Sequence, residues 1–142
     1  FGLTKFFKNS KFVNEYKQST VNPDVTGQAE ALSGAAMMFR RQVYAGIGGF
    51  DERFFFYGED LDFCKRVLDK GWETVYVSEV RIIHFGGQSS GKRRTKSLFN
   101  FYEAMWLYYK KHFKYNFLIN LFVWLGIKLR MTVALISSGL NF

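Results

Sequence analysis

The segment Gly58-Glu59-Asp60-Leu61-Asp62-Phe63-Cys64-Lys65-Arg66-Val67-Leu68-Asp69-Lys70-Gly71 carries the clearest periodic signal in the chain. Leu61, Cys64, Val67 and Leu68 recur at helical spacing, with Asp62, Lys65, Arg66 and Asp69 filling the other face. Gly71 supplies the left-handed residue that ends a helix without a Cβ penalty. The spacing predicts a helix over residues 59–70. Three carboxylates, Glu59, Asp60 and Asp62, crowd its first turn. The helix dipole offsets part of their repulsion, by about 0.3–1 kcal/mol per group. Successive positions point roughly 100° apart, so one acid can face a cleft while its neighbour anchors the turn. Acids at helix starts are also ordinary caps, and position alone fits both readings.

Upstream lies the aromatic loop 50–58, Phe50-Asp51-Glu52-Arg53-Phe54-Phe55-Phe56-Tyr57-Gly58, which reads equally as a core or lid segment. Before it, residues 41–46 predict a short helix ended by the glycines of Gly46-Ile47-Gly48-Gly49. The small, apolar run 32–39 predicts a buried strand, with Gly34 where something approaches the backbone closely. Residues 1–30 show little periodicity, and the polar stretch Ser19 to Asp24 reads as loop. Downstream, residues 74–77 and 80–84 predict two short strands. A polar, basic loop follows at Gln88-Ser89-Ser90-Gly91-Lys92-Arg93-Arg94. Neither internal repeats nor low-complexity tracts interrupt the pattern.

The 142 residues fit one domain, long enough for a core but short for an enzyme that must hold two substrates. The first residue is Phe1 rather than Met, and a fragment boundary is expected there. The chain is 20% aromatic with a formal net charge of +8, which suits either nucleic acid or an anionic membrane surface. The basic residues are scattered and no reader motif is present, so nucleic acid is not expected as a partner. The single cysteine, Cys64, falls inside the helical pattern and is expected to be a buried thiol, compatible with the cytosol.

The order Gly48-Gly49-Phe50-Asp51-Glu52, Gly58-Glu59-Asp60-Leu61-Asp62, Gly71-Trp72 and Ile83-His84-Phe85-Gly86-Gly87 is more specific than any of its pieces. From about Leu32 to Ser90 the chain resembles inverting glycosyltransferases with the A-type nucleotide-sugar fold, and most closely their rhamnosyltransferase-like members of bacterial surface polysaccharide synthesis. The resemblance implies an α/β class: the C-terminal portion of a Rossmann-like fold, a mixed sheet flanked by helices. Residues 1–95 would be the acceptor-side part of the catalytic domain and 96–142 a helical appendage. It implies that Asp60 is the catalytic base, which a sugar hydroxyl needs because it is a poor nucleophile at neutral pH. Glu59 would support the loop or contact the acceptor, Asp51 would orient the aromatic loop or bind acceptor hydroxyls, and Trp72 would stack on an acceptor sugar ring or equally pack against the sheet. Ser33 and Gly34 would lie by the donor sugar, while Arg93 and Arg94 would close over its pyrophosphate or else stay in a solvated loop. His84 would be a ligand to Mg²⁺ or Mn²⁺, its alternative being a hydrogen-bonded core histidine. The implied partners are a nucleotide-sugar donor, rhamnose favoured, and a saccharide or lipid-linked acceptor at the cytoplasmic membrane face. One departure stands out. No Asp-x-Asp motif precedes Ser33, and Asp24 stands alone, so most of the donor site is missing and the chain is expected to be inactive by itself.

From about Lys96, Leu98, Tyr102, Met105, Tyr109 and His112 share one helical face. The apolar stretch 117–140 then carries Lys128 and Arg130 near its centre, where a membrane span tolerates charge poorly. A helix lying in the interface, or packed on another part or another subunit, fits better than a span. An ordinary buried core helix fits equally. The competing functional reading is a non-catalytic, basic and aromatic-rich module that binds membrane or polyanions.

Overall fold

The computed structural model describes residues 22–85 and 94–139. Along the chain these form β1 (Gly27–Gln28), α1 (Arg41–Ile47), α2 (Glu59–Asp69), β2 (Val75–Tyr76), α3 (Arg94–His112) and α4 (Phe117–Gly139). Both short helices expected from local pattern are present within a residue or two. Gly48, at φ 81°, ends α1 and donates its N–H to the carbonyl of Ala45. Gly71, at φ 79°, follows the end of α2 and bonds to Leu68.

The expected mixed sheet is not formed among the described residues. Its place is taken by one antiparallel pair, Gly27 opposite Tyr76 and Gln28 opposite Val75. Residues 32–39, expected as a buried strand, are irregular, and Met38 is fully exposed. Ser33 Oγ accepts the N–H of Ala35 at 3.3 Å, a local turn bond that competes with a strand ladder. Residues 80–84 are likewise no strand, and Ile83 is 86% exposed. Their β-branched composition favours extended backbone, but no neighbouring strand meets them among the described residues.

The core between α1 and α2 consists of Val43, Phe63 and Val67, with Met37 and Ile47 packed against it. Phe39, Tyr44 and Phe50 gather around Phe63, the centroid of Phe50 lying 4.7 Å from it. Cys64 is buried as expected, and desolvation pushes its thiol up from the ordinary range. Two positions on α2 depart from the polar and apolar faces read in the sequence. Leu61 is 46% exposed, whereas Asp62 is 0% exposed. The polar face of α2 turns inward there because α3 supplies partners for its charge.

The helices α3 and α4 pair through a short link, as closely spaced helices do. Ile127 is buried, Tyr109 donates to Asn120 at 3.0 Å, and Lys128 meets Glu103 at 2.6 Å. The other side of α4 is uncovered among the described residues. Leu118, Phe122, Leu125, Leu129, Val133 and Ile136 fall within an arc of roughly 80° and are all exposed.

The aromatic loop is pinned where it enters α2. Gly58 has φ 81°, and a Cβ there would lie 3.2 Å from the ring of buried Phe54. A left-handed conformation costs an L-residue about 1–2 kcal/mol before any clash. Gly58→Ala should therefore destabilise the chain by more than about 1 kcal/mol, read as a lowered melting temperature. An unchanged melt would show that the loop relaxes freely.

Candidate active site

The first turn of α2 holds its three acids in three different environments. Asp60 accepts the N–H of Gly34 at Oδ2, 2.9 Å away, and the N–H of Leu61 at Oδ1, 2.8 Å away. These bonds fix the plane of a half-buried carboxylate, and each oxygen keeps a lone pair for a further donor. A Cβ on Gly34 would touch Asp60 at 3.5 Å, so the Ser33–Gly34 turn lies directly against this acid. Sequence reasoning placed Ser33 and Gly34 by the donor sugar and Asp60 as the base; the structure brings all three together.

Glu59 points elsewhere. Its Oε2 is shielded from water with no hydrogen-bond partner among the described residues. An orphaned buried acceptor typically costs about 1–3 kcal/mol.

Asp62 is the buried one. Its Oδ2 takes Arg66 Nε at 2.8 Å, and its Oδ1 takes Lys111 Nζ at 2.6 Å and His112 Nε2 at 2.8 Å. Because an ionised carboxylate only accepts, Nε2 of His112 carries the proton toward it. Burial pushes the Asp62 carboxyl up, but hydrogen bonds from Lys111, His112 and Arg66 outweigh that and hold it below its ordinary value. Asp51 belongs to the same network. It accepts Arg53 Nη2 at 2.7 Å and Lys111 Nζ at 2.6 Å, and the Arg53 hydrogen bond is the main cause of its strongly lowered pKa. Lys111 thus bridges two acids. Of the two readings of Asp51, these contacts suit orienting the aromatic loop, which they tie to α3.

The remaining expected site residues are not gathered here. Trp72 is 42% exposed and lies past the C-terminal end of α2, its N–H on the carbonyl of Val67 at 3.2 Å, at the opposite end of the helix from Asp60. His84 is exposed in the extended segment before residue 86. Arg93 lies outside the described residues, as does the basic loop from Gln88, and Arg94 is placed only as the first residue of α3. No group of three or more His, Cys, Asp or Glu among the described residues is arranged to hold a metal ion. These residues alone therefore do not fit a metal site. The Asp62 cluster was missed in the sequence. Its local half, Asp62 and Arg66 at i and i+4, was visible there, but Lys111 and His112 arrive from about 50 residues away.

Residues 4–142 match the family model described as glycosyl transferase family group 2. The chain belongs to that family. It is 33% identical over 90 residues to the N-acetylglucosaminyl-diphospho-decaprenol L-rhamnosyltransferase of two Mycobacterium tuberculosis strains, covering 63% of this chain and 29% of the relative. It is 32% identical over 68 residues to the O-antigen biosynthesis protein RfbC of Myxococcus xanthus, covering 48% of this chain and 5% of that relative. The chain thus spans under a third of the length of the curated relatives it matches. No solved structure matches it. Family members are glycosyltransferases, typically dependent on a divalent metal.

The two aspartates separate by experiment. Removing one partner from a buried ion cluster typically costs about 3–5 kcal/mol, whereas a half-exposed acid costs little. Asp62→Asn should lower the melting temperature sharply while Asp60→Asn leaves it near the parent's. Because the folded Asp62 pKa lies below the unfolded value of 3.8, its contribution is full above pH 4 and lost as pH falls through the folded value. Equal melts for the two variants at neutral pH would remove Asp62 from its structural role.

Proposed function

We propose that this chain is the acceptor-side, C-terminal portion of an A-type catalytic domain that transfers a sugar, with inversion, from a nucleotide-diphosphate donor to a saccharide or lipid-linked acceptor. One observation carries the reading: the half-exposed Asp60 carboxylate is oriented by the backbone N–H of Gly34 at 2.9 Å. The carboxylate and the small-residue turn are therefore adjacent. Asp60 takes the proton from an acceptor hydroxyl as that oxygen bonds to the anomeric carbon. The bond from that carbon to the phosphate oxygen breaks, and the nucleoside diphosphate leaves with the electron pair.

Rhamnose is the donor sugar favoured by similarity to the mycobacterial relative, whose name also supports a lipid-linked diphosphate acceptor. His84, if it binds Mg²⁺ or Mn²⁺, would provide a single nitrogen, the other ligands coming from beyond the described residues. Most of the donor site would likewise lie in regions of the relatives that this chain does not span.

The helix α4 supports a place at the inner membrane face. It is long and apolar enough to cross a membrane by length and composition. It nevertheless pairs with α3 through Asn120 and Lys128, and Lys128 and Arg130 flank the uncovered apolar row. That arrangement fits a helix lying along the surface, with Lys114 near anionic headgroups. Leu129→Lys should reduce recovery of the chain with vesicles containing anionic lipid severalfold. Undiminished recovery would assign the row to a protein partner.

For the chemistry, the full-length enzyme with and without Asp60→Asn is assayed for nucleoside-diphosphate release across a panel of nucleotide sugars. Turnover should fall roughly 10²–10⁴-fold with donor binding kept, as expected for a lost general base. Turnover equal to the parent's would reduce Asp60 to a helix cap, and no turnover of any donor by either protein would favour a non-catalytic binding module.

A further inference from the structure

A pocket of about 600 Å³ opens between the turn holding Arg53 and Phe55 and one face of α3. Arg53, Lys110 and Lys111 bring positive charge to its lining, while Phe55 and Trp106 bring aromatic surface. Ala104 also lines it, and Ala104 lies 3.6 Å from where a Cβ on Gly58 would sit. Gly58 is the residue that opens α2, two positions before Asp60. The pocket is thus a neighbour of the acidic turn.

The charges are unevenly committed. Lys111 is held by Asp51 and Asp62. Arg53 gives Nε and Nη2 to Asp51, yet its side chain stays 63% exposed, which leaves Nη1 toward solvent. Lys110 lies over the Trp106 ring at 5.7 Å and makes no carboxylate pair among the described residues. The one acid in the lining, Glu103, is neutralised by Lys128 at 2.6 Å. Positive charge is therefore in excess, on aromatic walls. Guanidinium and ammonium groups so placed suit phosphate oxygens, and the rings suit an apolar or sugar moiety attached to them.

We infer that this pocket binds the phosphate group of an amphiphilic, lipid-linked acceptor. The identity of that ligand rests on the sugar-transfer reading above; the phosphate preference rests on the pocket alone. Nothing in this assignment engages the Ser33–Gly34 side of Asp60, which remains for the donor.

Lys110 is the residue to change, because it stabilises no buried acid. Farnesyl diphosphate serves as the probe, titrated into the full-length protein and followed by tryptophan fluorescence, with the neutral alcohol farnesol as control. Lys110→Glu should weaken farnesyl diphosphate binding at least roughly tenfold, as expected for a lost charge-assisted contact. Farnesol binding and the melting temperature should stay unchanged, and Lys110→Arg should restore affinity. Equal affinity of Lys110→Glu and the parent overturns the assignment. Displacement of the probe by a nucleoside diphosphate would reassign the pocket to the donor. Displacement by anionic vesicles with no effect of a soluble diphosphate would reassign it to a headgroup. None of these readouts requires turnover, so the failure of Asp60 as a base would leave the pocket result standing.

Discussion

Asp62 is a carboxylate taken wholly out of water, and a charge so placed costs several kcal/mol unless its partners are close and well directed. Here three donors arrive from two helices that are distant in sequence: Arg66 from the same helix, and Lys111 with His112 from the end of α3. The requirement fixes more than one residue. It sets the rotation of α2 about its axis, and it brings the C-terminal end of α3 against the N-terminal end of α2. Lys111 extends the constraint to Asp51, so the aromatic loop is drawn into the same network. Gly58 then has to adopt its left-handed conformation beside Phe54 for the loop to enter α2 at all.

Rotation of α2 decides which acid is available. Positions 60 and 62 differ by roughly 200° around a helix, so fixing Asp62 inward leaves Asp60 directed away from the cluster. Asp60 meets the Ser33–Gly34 turn there, and backbone N–H groups orient it without engaging a cation. Two aspartates two residues apart thus do different work because their surroundings differ. One is saturated by charge. The other keeps a free lone pair on each oxygen.

The parts of this arrangement that are local were legible in the sequence. Residues 41–46 and 59–70 carried their own periodicity and their own terminal glycines, and both helices formed close to those bounds. The joint order of Gly34, Asp51, Asp60 and the following glycines pointed to sugar transfer, and the family match agrees. What failed depended on distant partners. Residues 32–39 and 80–84 had strand composition but found no ladder among the described residues, since β propensity mostly records how well a residue fits a neighbouring strand. Leu61 and Asp62 sit on faces opposite to those their polarity indicates, because three hydrogen-bond donors 4 to 50 residues away reverse that rule. The two-residue strand at Gly27 gave no pattern of its own to read.

The same long-range logic explains why α3 contributes to the site rather than merely covering it. A helix recruited only to bury apolar surface would need no cations near its end. Lys111 and His112 instead reach Asp62 from consecutive positions, roughly 100° apart on the helix, which requires α3 to approach α2 closely at that end. Lys110, one position earlier, is thereby carried to the side facing the Arg53 turn. The pocket's positive charge is then a consequence of how the buried acid is neutralised: the residues that balance Asp62 set the position of the one that balances nothing. The acidic turn and the basic pocket are consequently coupled in position through one ion cluster, with Lys111 common to both.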